Sequence, residues 1–291
     1  MKTKLLVTGS TGQLGSEFCR QLMGRFNVIS VSRNEANFTD LAQVTKVIKT
    51  FKPDYVIHTA AFTDVDSCEQ DSIKATDMNS TGAGNVALAA QIAGAEIVYF
   101  STDYVFDGTK NSAYVESDIP NPISEYGNSK LAGEMATMEL NKNWTIIRCG
   151  WIYGDQGKNF VKSIVHSAKS NKSPLRVVND QFGSPTWTKD IVEQTSRIIE
   201  TKQRGLFHVA SKGEISRYKF ARLILERMMP HAKIEPCETK DFPRPAKRPA
   251  RSSLISERLC KLGIDLMRPY NESLTEFLEQ YGEQLLNEIS D

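Results

Sequence analysis

The chain has 291 residues, 40% hydrophobic and 24% charged, with 36 Lys and Arg against 35 Asp and Glu. That balance fits a soluble globular protein of one large or two modest domains and excludes collagen-like and broadly disordered chains. There is no basic excess of the kind that marks a nucleic-acid binder, and no run approaches the ~20 apolar residues of a membrane span.

The first apolar run, Lys4-Leu5-Leu6-Val7-Thr8, reads as a strand that ends in a glycine turn. A signal h-region has no room before Gly9. An amphipathic helix is expected over residues 13–23, and a second strand over 27–31. A helix over 41–51 and a strand over 54–58 follow. Residues 76–93 are alanine-rich and read as one helix, then a strand over 96–100, a helix over 124–140 and a strand over 144–148. Parallel β-α-β crossovers follow from strands separated by helices of this length. The expected fold is α/β, a doubly wound parallel (Rossmann) sheet with a smaller C-terminal substrate-binding region. The expected division is a dinucleotide-binding domain over 1–153, also receiving part of 187–210, and a mainly substrate-binding region over 154–291.

Past Tyr153 the rhythm loosens. The basic, proline-rich stretch Asp241-Phe242-Pro243-Arg244-Pro245-Ala246-Lys247-Arg248-Pro249 is excluded from internal strands and helices. Helical stretches over 256–262 and 272–286 close the chain. The five cysteines, Cys19, Cys68, Cys149, Cys237 and Cys260, are scattered, with no Cys-x-x-Cys pair. They read as free thiols of a reducing cytosol rather than a disulfide framework or a zinc site.

The chemistry begins at Gly9-Ser10-Thr11-Gly12-Gln13-Leu14-Gly15. A glycine turn between a strand and a helix lets backbone approach a pyrophosphate, which meets the helix N-terminus. The acidic ribose-binding residue of dinucleotide folds is expected about 20 residues on. That count lands on Ser32-Arg33, with no carboxylate at the point itself. A serine and a guanidinium suit a 2′-phosphate, so NADPH is expected over NADH. Ser101-Thr102-Asp103-Tyr104 leaves the fourth strand where doubly wound folds bind ligands, and Thr102 is a candidate partner for a substrate oxygen. In Tyr126-Gly127-Asn128-Ser129-Lys130, the tyrosine and lysine share one helix face. The nearby ammonium is expected to pull the phenol's pKa towards neutrality, for ketone–alcohol chemistry. His58 and His208, in strand-like runs, read as packed residues and not as bases.

Together these motifs resemble the extended short-chain dehydrogenase/reductases, and most closely their dTDP-4-dehydrorhamnose reductase branch. The resemblance extends through Ala60-Ala61-Phe62-Thr63, Arg148-Cys149-Gly150-Trp151-Ile152-Tyr153, Asn179-Asp180-Gln181-Phe182-Gly183-Ser184-Pro185-Thr186 and Arg248-Pro249-Ala250-Arg251-Ser252-Ser253-Leu254. It implies reduction of a dTDP-linked 4-keto sugar by NAD(P)H. Thr102, Tyr126 and Lys130 would be the catalytic set. Gly9, Thr11, Gly12, Gln13, Leu14 and Gly15 would meet the coenzyme's pyrophosphate region. Ser32, Arg33, Asn37 and Phe38 would sit near its adenosine, and Ala60, Ala61, Phe62 and Thr63, with Tyr126 and Lys130, on the nicotinamide side. Thr102, Asp103, Trp151 and Arg248 would contact the nucleotide sugar.

Some members hold magnesium between glutamates at a dimer interface. Glu17 matches the first position and Lys189 falls on the second, which speaks against that metal. A cytoplasmic enzyme is expected, with a homodimer among the assemblies it allows. The alternatives are a reductase of another nucleotide-linked keto-sugar, or a silent NADP-binding subunit like the regulatory subunit of methionine adenosyltransferase.

Overall fold

The strand alternation produces a sheet buried on both faces. A computed structural model describes residues 2–170 and 174–287, so 171–173 and 288–291 of the expected C-terminal region lie outside the described residues. Five strands, β1 (Lys4–Thr8), β2 (Asn27–Val31), β3 (Tyr55–His58), β4 (Glu96–Thr102) and β5 (Trp144–Cys149), join a sixth, Gly205–His208. All pair in parallel, in the order β2-β1-β3-β4-β5-(205–208). Leu5 and Val7 point to one face and Leu6 to the other, as the two-residue period of a strand requires.

Helices cover both faces. Helix α1 (Gln13–Leu22) packs its Leu14 and Phe18 with Val98, Phe100 and Ile191 on the first face. On the second face, α2 (Leu41–Phe51) contributes Val44 and Ile48, which meet Leu6, Val56 and Ile97. The stretch read as one helix over 76–93 is segmented. Short helices α3 (Val65–Gln70) and α4 (Ser72–Thr76) lead into a π-helical turn, Asp77–Thr81, and then α5 (Gly82–Ala93). Helix α6 (Glu125–Leu140) follows a long loop after β4.

Where the rhythm was read as loosening, α7 (Phe160–Ser170), α8 (Thr188–Glu200) and α9 (Arg217–Met228) stand, and α10 (Glu257–Lys261) and α11 (Tyr270–Asn287) follow where the late helical stretches were expected. The strands between them are two to four residues long, too short to show alternation. Helix α8 returns to the sheet, with Ile191, Val192 and Ile198 in the first-face core. A separate core gathers Tyr153, Val161, Trp187, Phe220 and Phe277. The chain leaves β1 for β2 on one side, and β3 to β5 grow on the other. The crevice at the carboxyl ends of β1 and β3 is therefore the switch point where such sheets bind ligands.

Candidate active site

The glycine turn is built for close approach. Gly9 has φ +67°, and a Cβ there would lie 2.8 Å from the backbone of Ala60. Its carbonyl accepts the Gly12 N–H at 2.9 Å. Gly12 precedes α1 in extended conformation with no side-chain cap, which leaves the first N–H groups of the helix open to the crevice. Gly9, Thr11, Gly12, Gln13, Leu14 and Gly15 all line one cleft of about 510 Å³.

At the end of β2 the expected residues separate. Arg33 and Phe38 line the cleft, and Ser32 and Asn37 do not. The Asn37 carboxamide oxygen is taken by the backbone N–H and hydroxyl of Thr39, in its own turn. A carboxylate does stand here, contrary to the sequence reading. Glu35 reaches back to the Ser32 N–H at 2.6 Å, and the Ser32 N–H and hydroxyl hold its carboxyl below the usual range. It escaped notice because a three-residue turn, not the strand register, brings it round.

Ala60, Ala61 and Thr63 line the cleft beyond β3; Phe62 is not among its lining residues. The backbone of Phe62 is clamped by the buried Asn79. Asn79 accepts the Phe62 N–H at 2.7 Å and donates to the Phe62 carbonyl at 2.9 Å and to Ser129 Oγ at 3.0 Å. Sequence reasoning passed over Asn79; the only signal was a polar residue in a small-residue helix. The π turn carries it inward.

Strand β4 runs two residues further than expected, so Thr102 still pairs with Cys149 in the ladder and is held rigidly. Helix α6 opens at the Ser124 cap, whose hydroxyl accepts the Gly127 N–H at 3.2 Å. Gly127 is required because a Cβ would lie 2.2 Å from the Tyr104 carbonyl oxygen. That close approach sets Tyr126 against the end of β4, in the same cleft as Thr102. Thr102 Oγ1 also donates to Asp103 Oδ1 at 3.0 Å and accepts the Tyr104 N–H at 3.1 Å.

The electrostatics correct one expectation. Tyr126 is not drawn towards neutrality; desolvation pushes its phenol well above the ordinary value. Lys130, one turn along, is 3% exposed and donates to the Phe100 carbonyl at 2.6 Å, with its ammonium 4.2 Å over the Tyr99 ring. Burial brings its own pKa down to about 8. A further turn along, Glu134 takes the Arg148 guanidinium in a buried fork at 2.9 and 2.7 Å, which ties α6 to β5. The neighbouring His58 is buried, bonded through Nδ1 to Thr8 Oγ1 at 2.7 Å, and kept neutral by desolvation, its pKa down at about 3.

On the substrate side, Asp103 is 3% exposed. Its Oδ2 has no hydrogen-bond partner among the described residues. Burial pushes its carboxyl up to about 6 against the pull of nearby Ser252 and Thr102 hydroxyls and the Arg217 charge. Trp151 holds a left-handed backbone, φ +49°, a strain that functional sites concentrate. Its ring lies against Gly183, where a Cβ would come within 2.2 Å, and under the Arg217 guanidinium at 4.0 Å. Thr102, Asp103, Tyr126, Lys130 and Trp151 all line the same cleft.

Arg248 does not line it. It lines an adjoining cavity of about 770 Å³ that shares Val65, Tyr104 and Arg217 with the cleft. That second cavity is basic, with Arg176, Arg217, Arg244, Lys247 and Arg248 in its wall. The magnesium positions are otherwise engaged. Glu17 pairs with Arg20 at 2.5 Å and Lys189 with Glu276 at 2.6 Å. Among the described residues no cluster of His, Cys, Asp or Glu could hold a metal ion.

The family described as the RmlD substrate binding domain matches residues 3–283. A dTDP-4-dehydrorhamnose reductase of Burkholderia thailandensis is 37% identical over 281 residues, spanning 90% of this chain and 94% of its own. The spore coat polysaccharide biosynthesis protein SpsK of Bacillus subtilis is 39% identical, over 96% of this chain and 98% of its own. The crystal structure of a Bacillus anthracis dTDP-4-dehydrorhamnose reductase in complex with NADP superposes with a TM-score of 0.92 at 35% identity, over 96% of this chain and all of that one.

Proposed function

The chain belongs to the RmlD substrate binding domain family, and from that membership we infer that it is an NADPH-dependent dTDP-4-dehydrorhamnose reductase. It reduces the 4-keto group of dTDP-4-dehydro-β-L-rhamnose (dTDP-4-dehydro-6-deoxy-L-mannose) to give dTDP-L-rhamnose, a precursor for polysaccharide. The observation that carries the chemistry is the hydroxyl pair of Thr102 and Tyr126, which share the cleft of the glycine turn.

The glycine turn from Gly9 to Gly15 would hold NADPH, which when bound would supply a hydride, two electrons and a proton, for the C4 carbon of the sugar. The remaining steps fall to side chains. Thr102 turns its hydroxyl from Asp103 Oδ1 to the C4 oxygen and orients the carbonyl. Tyr126, kept protonated by its burial, gives its proton to that oxygen as the C–O π bond breaks. Lys130 holds a positive charge beside the developing alkoxide. Asp103 lines the cleft beside Thr102 on the sugar side, and Trp151 covers the ring. The basic cavity beyond Arg217 receives the diphosphate and nucleoside.

Tyr104 follows Asp103 at the position where the resembling 4,6-dehydratases carry a glutamate; its phenol, pushed above the ordinary value by burial, is a poor base for carbon. Residues 1–153, with part of 187–210, supply mainly the coenzyme half and 154–291 mainly the substrate half; the core around Phe220 and Phe277 supports this, although Leu259, Ile264 and Met267 join the core of the sheet. No described helix is long and apolar enough to cross a membrane. We place the enzyme in the cytoplasm, where free thiols persist.

The test is absorbance at the nicotinamide band with dTDP-4-dehydro-β-L-rhamnose, and with dTDP-glucose as control. One NADPH is expected to disappear per keto-sugar reduced. A 4-keto-6-deoxy product from dTDP-glucose without net cofactor use would point to a dehydratase, and no turnover to a silent subunit.

A further inference from the structure

Residues 242–249 contain no helix or strand, yet they form part of the wall of the basic cavity. This strap crosses from the C-terminal half to α3 and is fastened there by one carboxylate. Asp66 accepts the Ala246 N–H at 3.2 Å. It also takes both arms of the Arg248 guanidinium, Nη1 at 2.9 Å on Oδ1 and Nη2 at 2.8 Å on Oδ2. Arg248 folds back onto the Ala246 carbonyl at 2.7 Å, and Arg244 Nη1 comes within 3.9 Å of Asp66 Oδ2. Three groups of the strap thus converge on one side chain 180 or so positions earlier. The Arg248 guanidinium holds the Asp66 carboxyl below its usual range. With its fork spent on Asp66, Arg248 acts mainly as part of the fastening.

We propose that Asp66 is a positioning residue for the substrate nucleotide: its carboxylate staples the 242–249 strap against α3, so that the Arg244 and Lys247 wall of the cavity stands ready before the diphosphate arrives. The proposal rests on the reading that this cavity takes the nucleotide. Two effects of Asp66 on a bound diphosphate oppose each other. As a charge it repels the anion, and its loss would tighten binding. As a staple it spares the ligand the cost of ordering the strap, and its loss weakens binding. The second effect dominates, because Asp66 is already neutralised by Arg248 and is 24% exposed, where water screens it.

Full-length wild type, Asp66→Ala and Asp66→Asn are compared in two measurements, hydrogen exchange of the 242–249 peptide and calorimetric binding of dTDP, with NADPH binding as the control. Asp66→Ala is expected to speed strap exchange and weaken dTDP about ten-fold, with NADPH affinity unchanged within about two-fold. Asp66→Asn retains an acceptor for Ala246 and falls between. Unchanged strap exchange, or dTDP binding that is equal or tighter in Asp66→Ala, would overturn the staple. If wild type itself binds no dTDP, the nucleotide reading fails and the proposal with it, an outcome distinct from a wild type that binds and a variant that binds as well.

Discussion

The Lys130 ammonium donates to the Phe100 carbonyl at 2.6 Å, although Tyr126 stands one turn earlier on the same helix. The lysine is thus anchored to the sheet, and burial holds the Tyr126 phenol above its ordinary value. A phenol that keeps its proton fits the proposed reduction, in which Tyr126 would protonate the carbonyl oxygen.

Tyr126→Phe keeps the ring and removes the donor. Its kcat is expected to fall by on the order of 10²–10⁴, with NADPH binding unchanged. Single-turnover kinetics would read this directly; more than a tenth of wild-type hydride transfer surviving would remove Tyr126 from the role.

The pH profile follows from Lys130. Its pKa in the fold lies at about 8, below the ordinary lysine value, so the ammonium is intact below pH 8 and lost above it. Tyr126 stays protonated across that range because its shift is upward. The kcat is therefore expected to hold level below about pH 8 and decline above. Lys130→Met should lower activity and flatten that limb.

Asp103 trades stability for function. Its folded pKa of about 6 lies above the unfolded value of about 3.8, so the sign is opposite to that of a salt-bridged carboxylate. The associated stability is full below pH 3.8 and lost as pH rises through 6. At pH 7 the buried charge costs up to about 3 kcal/mol. Asp103→Asn should raise Tm at pH 7 and not at pH 4, while KM for the nucleotide sugar rises. A lower Tm at pH 7 would contradict this account.

Two opposite charges stand at the end of β2, Arg33 and Glu35. Arg33 lines the cleft, and Glu35 accepts the Ser32 N–H beside it. Arg33→Ala is expected to reduce the NADPH:NADH ratio of kcat/KM by about ten-fold, and Glu35→Gln to increase it. Equal ratios across wild type and both variants would show that neither residue reads the phosphate.

What the sequence determined by itself is written in near neighbours. Strand alternation from Leu5 to Val7, the glycine turn before Gln13, and the Tyr126 and Lys130 spacing each depend on residues a turn or less apart, whose geometry the backbone dictates. Tertiary structure decided what distant chain segments bring. Asn79 meets Phe62, Asp66 meets Arg248, and Gly205–His208 closes the sheet beside β5. It also decided the protonation of Tyr126, Lys130 and Asp103. A pKa depends on how much water is excluded around a group and which charges face it, and both are products of packing between elements that no local spacing encodes.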